Sequence, residues 1–236
     1  MRCAITIAYD GTNFLGSQTQ KESKNTVLGA LEIALKKINI ETKIVASGRT
    51  DRGVHATGQV CHIDLPLYWN DLVKLQYALE KVLPTSIMIK KIKIVDDSFH
   101  ARYSAKKRVY RYILKVGKCN PFEENFVTCK DNIDFFEIQK KIKLFCGTFD
   151  FKFFMKSGSD IKSTTRVIYR AFAYEHKGFI ILNFEANGFL RSQIRLMVGA
   201  LFSLNEDEIL DKLEVRVNHK IKPAKSNGLY LSKIKY

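Results

Sequence analysis

Apolar and polar residues in the first 95 positions alternate with two periods, one typical of strands and one typical of helices. Four segments are mainly apolar or alternate at period two, which predicts strands; they are residues 3–9, 43–46, 60–65 and 87–95. Two segments place apolar side chains at helical spacing; they are residues 27–38, with Asn25 or Thr26 as the N-cap, and residues 72–83, with Asn70 or Asp71 as the N-cap. The alternation in the last strand changes phase near Lys90 and Lys91, which indicates a β-bulge. The order is therefore β-α-β-β-α-β, the ferredoxin-like arrangement.

The second half of the chain repeats this order with insertions. Its predicted strands are residues 109–116, 165–175, 179–185 and 228–234, and its predicted helices are residues 135–145, 189–204 and 206–213. A polar, basic connection separates the two halves at residues 96–108. We therefore predict a mixed α/β (α+β) fold of two ferredoxin-like halves, residues 1–103 and 104–236, whose sheets join around a central cleft.

The charge balance indicates a polyanionic partner. Of the 236 residues, 39 are Lys or Arg and 24 are Asp or Glu, so the formal net charge is +15. Such an excess attracts nucleic acid or an anionic membrane surface, although a generally basic surface would have the same composition. The sequence contains no continuous apolar span and no basic amphipathic anchor, and its N-terminus does not resemble a signal peptide. We therefore expect a nucleic-acid partner, no membrane association and a cytoplasmic location.

The five cysteines are odd in number and widely spread, which favours neither a metal site nor a disulfide framework. They are Cys3, Cys61, Cys119, Cys129 and Cys146. None stands in a Cys-x-x-Cys motif or in a Cys/His cluster at zinc-ligand spacing. We interpret them as buried free thiols in a reducing compartment.

The loop between the second and third predicted strands contains one carboxylate in cationic surroundings. Asp51 lies between Arg49 and Arg52, in a segment whose three glycines make it a poor helix or strand. Because Asp-x-Gly sequences are typical of turns, Asp51 is open to two interpretations, a turn residue or a reactive group. His55 in the same loop is likewise either a packing and hydrogen-bonding residue or a catalytic acid or base.

Two further stretches carry polar residues that a packed core does not require. In residues 108–112, Tyr110 and Tyr112 share one face of the predicted strand. In residues 187–195, Arg195 lies one turn from apolar side chains of the predicted helix. A guanidinium in that position either has an anionic partner or reaches solvent at the rim of the helix, and both interpretations remain open. The sequence contains no Gly-x-Ser-x-Gly elbow, no Walker-type phosphate loop and no Gly-x-Gly-x-x-Gly fingerprint.

The loop sequence is also similar to that of a known family. Residues 47–56, Ser-Gly-Arg-Thr-Asp-Arg-Gly-Val-His-Ala, closely resemble the Gly-Arg-Thr-Asp-x-Gly-Val-His-Ala signature of the TruA-type tRNA pseudouridine synthases. Further blocks resemble the family in the same order over nearly the whole chain. They are residues 8–11, 14–16, 99–102, 108–112, 147–151, 189–190, 195, 198–199, 223–224 and 228–231.

The resemblance implies an isomerase that converts uridine to pseudouridine at positions 38, 39 and 40 in the anticodon stem-loop of tRNA. It makes Asp51 the catalytic nucleophile, on a loop of the N-terminal half, and leaves the C-terminal half to complete the active-site cleft. Uracil leaves its ribose, turns over and reattaches through carbon, with no net oxidation or hydrolysis. We therefore expect no cofactor and no metal.

The resemblance also assigns substrate-binding roles to three residues. It makes Arg195 the arginine that pairs with the catalytic aspartate, and Arg49 the residue that takes the place of the flipped base. It makes Tyr110 the ring that packs on the flipped uracil. A homodimer that binds tRNA across both subunits is implied as well. Candidate phosphate contacts are Lys106, Lys107, Arg108 and Lys156.

The sequence departs from the family pattern at three positions. Ser17 stands where an aromatic residue is usual, Leu28 where Gln is frequent, and Leu196 where Asn is usual. These positions bear on substrate contact and remove no proposed catalytic group. Two rival functions stay open: an RNA-binding module that kept the fold without the chemistry, and a hydrolase that uses Asp51 and His55.

Overall fold

The described residues group into two compact units. The computed structural model describes residues 1–20, 23–156, 158 and 162–236, and they form a mixed α/β fold, as predicted. The first unit contains Met1–Lys106 and Tyr230–Tyr236, and the second contains Lys107–Leu229. The division expected from the sequence, residues 1–103 and 104–236, assigned the C-terminal strand to the second half, whereas residues 230–236 group with the first unit.

The first unit has the β-α-β-β-α-β order expected from its pattern. Its elements are β1 (Arg2–Tyr9), α1 (Val27–Lys37), β2 (Val45–Ala46), β3 (His55–Asp64), α2 (Leu72–Val82) and β4 (Ile87–Ile94). β1 lies between β3 and β4 and is antiparallel to both, while β2 pairs with β3. The pairing of β1 with β4 skips Lys90, which confirms the predicted bulge. β3 begins at His55, so residues 55–59, which the sequence pattern predicts as part of the loop, belong to the strand.

Each helix of this unit has as its N-cap one of the two residues predicted for that position. The Thr26 side chain accepts a hydrogen bond from the Gly29 amide, and the Asp71 side chain accepts from the amides of Val73 and Lys74. Both helices bury an apolar face, and α1 and α2 contact each other while α2 also contacts β4. Each fully buried apolar side chain contributes about 1.5–3 kcal/mol. The buried side chains include Ile5, Ile7, Leu31, Leu35, Leu75 and Leu79. Within the described residues, no helix is both long and apolar enough to cross a membrane.

The second unit contains three of the four strands and the three helices predicted for the second half, and two short strands that were not predicted. Its elements are β5 (Lys107–Val116), β6 (Thr128–Lys130), α3 (Phe135–Lys141), β7 (Gly147–Asp150), β8 (Thr165–His176), β9 (Phe179–Ala186), α4 (Gln193–Ser203) and α5 (Glu206–Leu213). The strands β5, β9, β8 and β7 pair in that order, antiparallel between neighbours, and β6 runs parallel to β5. The last strand, β10 (Leu229–Lys235), pairs in parallel with β3, where Tyr230 lies opposite His55.

The helix α4 begins at Gln193, four residues after the predicted start. Ser192 has a φ of 59°, in the left-handed region, so a continuous helix from residue 189 is excluded. Instead, residues 190–193 form a turn in which the Gln193 side chain accepts a hydrogen bond from the Leu190 amide at 2.8 Å. This turn places Phe189 outside the helix.

The prediction of five buried free thiols is wrong for three of the cysteines. Cys3 and Cys61 are buried free thiols, and burial raises the pKa of Cys61 to about 12. Cys146 is exposed, and Cys119 and Cys129 form a disulfide whose Cα atoms are 5.5 Å apart. The chain turns back between β5 and β6, and this reversal brings together two cysteines that are ten positions apart.

Candidate active site

The start of the Asp51 loop is held against β3 by a buried glutamine. The Ser47 amide donates to the carbonyl of Val60 at 2.8 Å. The Ser47 hydroxyl donates to Oε1 of Gln59 at 2.6 Å, and Nε2 of Gln59 donates to the carbonyl of Gly48 at 2.8 Å. Gln59 is fully buried, so all of its bonding capacity is directed at its neighbours in the protein. This end of the loop is therefore fixed.

The residue immediately before Asp51 is held by the segment that follows β1. The Thr50 amide donates to Oγ of Ser17 at 2.8 Å, and the Ser17 amide donates to the carbonyl of Thr50 at 3.1 Å. The Thr50 hydroxyl also shares a buried hydrogen bond of 2.8 Å with the hydroxyl of Tyr9. Gly16 has a φ of 115°, and a Cβ there would lie 3.0 Å from the carbonyl oxygen of Thr50. Thr50 is thus held by its backbone and by its side chain.

The backbone after Asp51 forms a tight turn. The Val54 amide donates to the carbonyl of Asp51 at 3.1 Å, and Gly53 between them has a φ of 73°. Gly11 packs against this turn so closely that a Cβ on it would lie 2.0 Å from the carbonyl oxygen of Val54. Asp51 is therefore a turn residue in its backbone, and its side chain is half-buried. Arg49, two residues earlier on the same loop, is exposed.

His55 has a structural role in this arrangement. Its ring is buried, stacks on Tyr230 with 4.8 Å between ring centroids, and accepts a hydrogen bond at Nδ1 from the Gly11 amide at 3.0 Å. Oδ1 of Asp10 also lies 3.2 Å from Nδ1, but an amide can only donate, so Nδ1 is the acceptor. The geometry therefore favours the packing and hydrogen-bonding interpretation of His55.

Tyr110 and Tyr112 occupy the same buried face of β5 in the second unit, as predicted. The Tyr110 ring packs edge-on against Phe189 at a centroid distance of 5.3 Å. The Tyr112 hydroxyl lies 2.8 Å from Oγ1 of Thr128 and donates to the carbonyl of Lys225 at 2.8 Å. Burial raises the pKa of Tyr112 to about 12. Tyr112 therefore has a structural role, because its hydroxyl is bonded to two other segments. The ring of Tyr110 instead contacts another aromatic ring.

Arg195 lies on the first turn of α4, half-buried, in the same unit as Tyr110. Its Nε donates to the carbonyl of Ala224 at 2.7 Å, and its own carbonyl accepts from the Ala224 amide at 2.8 Å. These bonds fix the direction of the guanidinium. Phe189, which contacts Tyr110, precedes α4 by four residues in the chain.

The supporting residues of the Asp51 loop were not predicted. The sequence pattern predicts Gln59 at the end of a loop, whereas it is buried within β3. The partner of Ser17, Thr50, is 33 positions away in the chain. Both roles therefore depend on contacts that form only in the folded chain.

The sequence and the fold together place the chain in a family. The tRNA pseudouridine synthase family matches residues 5–104 and 142–236, so the chain belongs to this family and is a pseudouridine synthase, an isomerase. Proteins named tRNA pseudouridine synthase A are similar over their whole length. The one from Campylobacter jejuni (strain RM1221) is 40% identical over 241 residues, covering 100% of both chains. The one from Wolinella succinogenes is 38% identical, covering 98% of this chain and 92% of the relative. The one from Helicobacter pylori (strain G27) is 37% identical, covering 100% of both.

The chain was also compared with solved structures. The chain aligns with a crystal structure of a Cbf5-Nop10-Gar1 complex at a TM-score of 0.38 and 15% identity, covering 83% of this chain and 44% of that chain.

Replacing Ser17 by alanine is expected to lower the free energy of unfolding by about 1–3 kcal/mol, because the buried amide of Thr50 loses its acceptor. The change is measured by urea unfolding followed by circular dichroism. Thr19→Ala is the matched control, since Thr19 is an exposed hydroxyl residue of the same segment and its loss should leave the urea midpoint unchanged. Equal midpoints for Ser17→Ala and wild type would contradict the anchoring role.

Proposed function

We propose that the chain isomerises uridine to pseudouridine at positions 38, 39 and 40 in the anticodon stem-loop of tRNAs, with Asp51 as the catalytic nucleophile. Family membership and the names of the full-length relatives support a tRNA substrate. The formal net charge of +15 suits a polyanion. The observation that carries the role of Asp51 is its position between two fixed backbone segments, which holds one half-buried carboxylate in a defined place.

The proposed reaction needs only one reactive side chain. The N1–C1′ bond of uridine breaks and a C5–C1′ bond forms, while C5 loses a proton and N1 gains one, so atoms and electrons balance without a further reactant. Asp51 supplies an electron pair to the sugar or the base while the glycosidic bond is broken, and the bond it forms breaks again when the uracil rejoins through C5. The carboxylate is thereby regenerated.

Arg195 is the proposed ion partner of Asp51. An opposite charge within about 4–6 Å keeps a carboxylate ionised when it is desolvated. The half-buried guanidinium of Arg195, directed by its bond to Ala224, is suited to this role, because a desolvated cation is stabilised by an anion.

Arg49 and Tyr110 are proposed to bring the target base to Asp51. A base stacked in the RNA cannot be reached, so the uridine has to leave the stack. Arg49 is exposed on the catalytic loop, which suits a side chain that takes the place of the flipped base. Tyr110 offers an aromatic face to the planar uracil and is itself held by Phe189.

The proposal includes the predicted arrangement of the two halves. The N-terminal half, residues 1–103, carries the Asp51 loop, and the C-terminal half, residues 104–236, contributes Tyr110 and Arg195 to complete the active-site cleft. We further propose that the protein acts in the cytoplasm as a homodimer and needs no cofactor.

The proposed function is tested by incubating the wild-type protein with a set of unmodified tRNAs and mapping pseudouridine by position. We expect pseudouridine at positions 38, 39 and 40 wherever these are uridines. Matched tRNAs with cytidine at the same positions are the control and should remain unmodified.

The outcomes separate the rival functions. Pseudouridine confined to other positions would contradict the assigned specificity. tRNA binding without any pseudouridine would contradict the enzyme and favour the binding module.

A further inference from the structure

Two arginines of the second unit lie on either side of the segment that follows β9. The last residue of β9, Ala186, pairs with Arg108 of β5 on one side and with Ile168 of β8 on the other. Asn187 and Gly188 therefore continue between the strands that carry Arg108 and Arg166. The Arg108 Nη1 donates to the carbonyl of Asn187 at 2.8 Å.

Arg166 is anchored on the other side of this segment. Its Nη1 donates to the carbonyls of Ser163 at 2.9 Å and Thr165 at 2.6 Å. Its Nε lies 3.7 Å from the position that a Cβ on Gly188 would occupy. Each guanidinium is thus held by hydrogen bonds to backbone carbonyls, and the two lie on either side of Asn187 and Gly188. Little side-chain rotamer freedom is therefore lost when a ligand binds.

Arg166 is a partly buried cation beside a second positive charge. Arg166 is half-buried, and burial together with the nearby charge of Arg108 lowers its pKa. In the part of the chain that the structure describes, no carboxylate lies within ion-pair distance of Arg166. Two like charges held close together at a partly desolvated place are stabilised by an anion that contacts both.

The pair also lies beside the proposed base-binding ring. Arg108 and Tyr110 are two residues apart on β5, so their side chains share one face at a spacing of about 7 Å. On the other side, Gly188 is followed directly by Phe189, which packs on Tyr110. A nucleotide whose base stacks on Tyr110 would therefore carry a phosphate near the two arginines.

A neighbouring lysine is less suited to this task. Lys107, one of the expected phosphate contacts, lies 3.2 Å from the buried carboxylate of Glu185 and 4.5 Å from the centre of the Tyr169 ring. Its charge is therefore already compensated within the protein.

We propose that Arg108 and Arg166 together bind the RNA phosphodiester that flanks the uridine stacked on Tyr110. Two planar guanidiniums can each donate two parallel hydrogen bonds to phosphate oxygens, which fixes the phosphate in place and orientation. The inference rests on the proposed function for the position of the base, but it makes a claim about binding that does not depend on turnover.

The first test measures the affinity for an anticodon stem-loop RNA over a range of KCl concentrations. Arg108→Gln and Arg166→Gln are each expected to weaken binding about 10-fold and to reduce the slope of log Kd against log salt by about one. Arg170→Gln is the matched control, because Arg170 is an exposed arginine of the same strand. An unchanged slope for Arg166→Gln, or an equal change for the control, would overturn the proposal.

The second test locates the phosphate. One neutral methylphosphonate linkage is placed next to the target uridine, on its 5′ or its 3′ side, in otherwise identical RNAs. For one of these RNAs we expect wild-type binding to weaken about 10-fold and Arg166→Gln binding to stay unchanged, since the variant has already lost that contact. Equal losses in wild type and variant for both RNAs would overturn the proposal.

Folding and the proposed function are checked separately. We expect Arg166→Gln to be folded at the temperature of the binding assays, as shown by thermal unfolding, although it loses two hydrogen bonds to backbone carbonyls. Coupling between Arg166 and one linkage in a protein that forms no pseudouridine would support the phosphate site and refute the proposed function. Pseudouridine formation without this coupling would support the proposed function and refute the phosphate site.

Discussion

Replacing Asp51 by asparagine is expected to abolish pseudouridine formation, with a loss in rate on the order of 10⁴-fold or more. Asparagine has nearly the same shape as aspartate, but its amide carries no negative charge and is a poor nucleophile. The turn is closed by the backbone carbonyl of Asp51, which asparagine keeps. The variant should therefore fold and bind tRNA as wild type does.

The measurement for Asp51→Asn is pseudouridine formed per enzyme under single-turnover conditions, together with the affinity for tRNA. Asp97→Asn is the matched control, because it removes the same charge from an exposed position of the same unit. Equal pseudouridine formation by Asp51→Asn and wild type would refute the assignment of the nucleophile. An equal loss of pseudouridine formation by Asp97→Asn would show that the effect comes from the change in net charge.

The elements of the first unit could be predicted because each buries one face, and a single buried face imposes a period on the sequence. The bulge at Lys90 was visible for the same reason, since one extra residue shifts the alternation. Where a predicted element boundary was wrong, the true boundary depends on the backbone conformation of a single residue. The start of α4 is set by the left-handed conformation of Ser192, and a serine at this position does not predict that conformation.

Contacts between distant parts of the second unit were also invisible in the sequence. Lys212 was predicted on a short acidic helix, yet it is buried with Nζ 5.6 Å from the centre of the Phe153 ring, and burial lowers its pKa to about 8. The disulfide between Cys119 and Cys129 was missed because two cysteines at that spacing meet only if the chain turns back on itself.

The predicted site depended on different information from the fold. The glycines and the charges around Asp51 predicted a shaped loop, and the structure confirms its turn. They could not distinguish a turn residue from a reactive one, because the same backbone serves both. The choice of Asp51, Arg49, Tyr110 and Arg195 came from the family signature, and their roles stay predictions. The fixation of the loop by Ser17 and Gln59 required the folded chain.

Replacing Arg195 by methionine is expected to reduce turnover about 10²–10³-fold while leaving tRNA affinity largely unchanged. Methionine keeps much of the apolar stem but removes the charge that we propose to pair with Asp51. The backbone bond between the Arg195 carbonyl and the Ala224 amide persists in the variant, so α4 should remain attached to that segment. The rate constant and the affinity are measured separately under single-turnover conditions.

Two further variants decide how Arg195 acts. Arg191→Met removes an exposed charge four residues earlier and should leave turnover close to that of wild type. Arg195→Lys keeps the charge without the planar guanidinium and should recover part of the lost rate. If Arg191→Met and Arg195→Met lose turnover equally, the effect comes from the general basic surface. If Arg195→Met keeps full turnover, the reaction at Asp51 does not depend on Arg195, and the proposed ion pair is refuted.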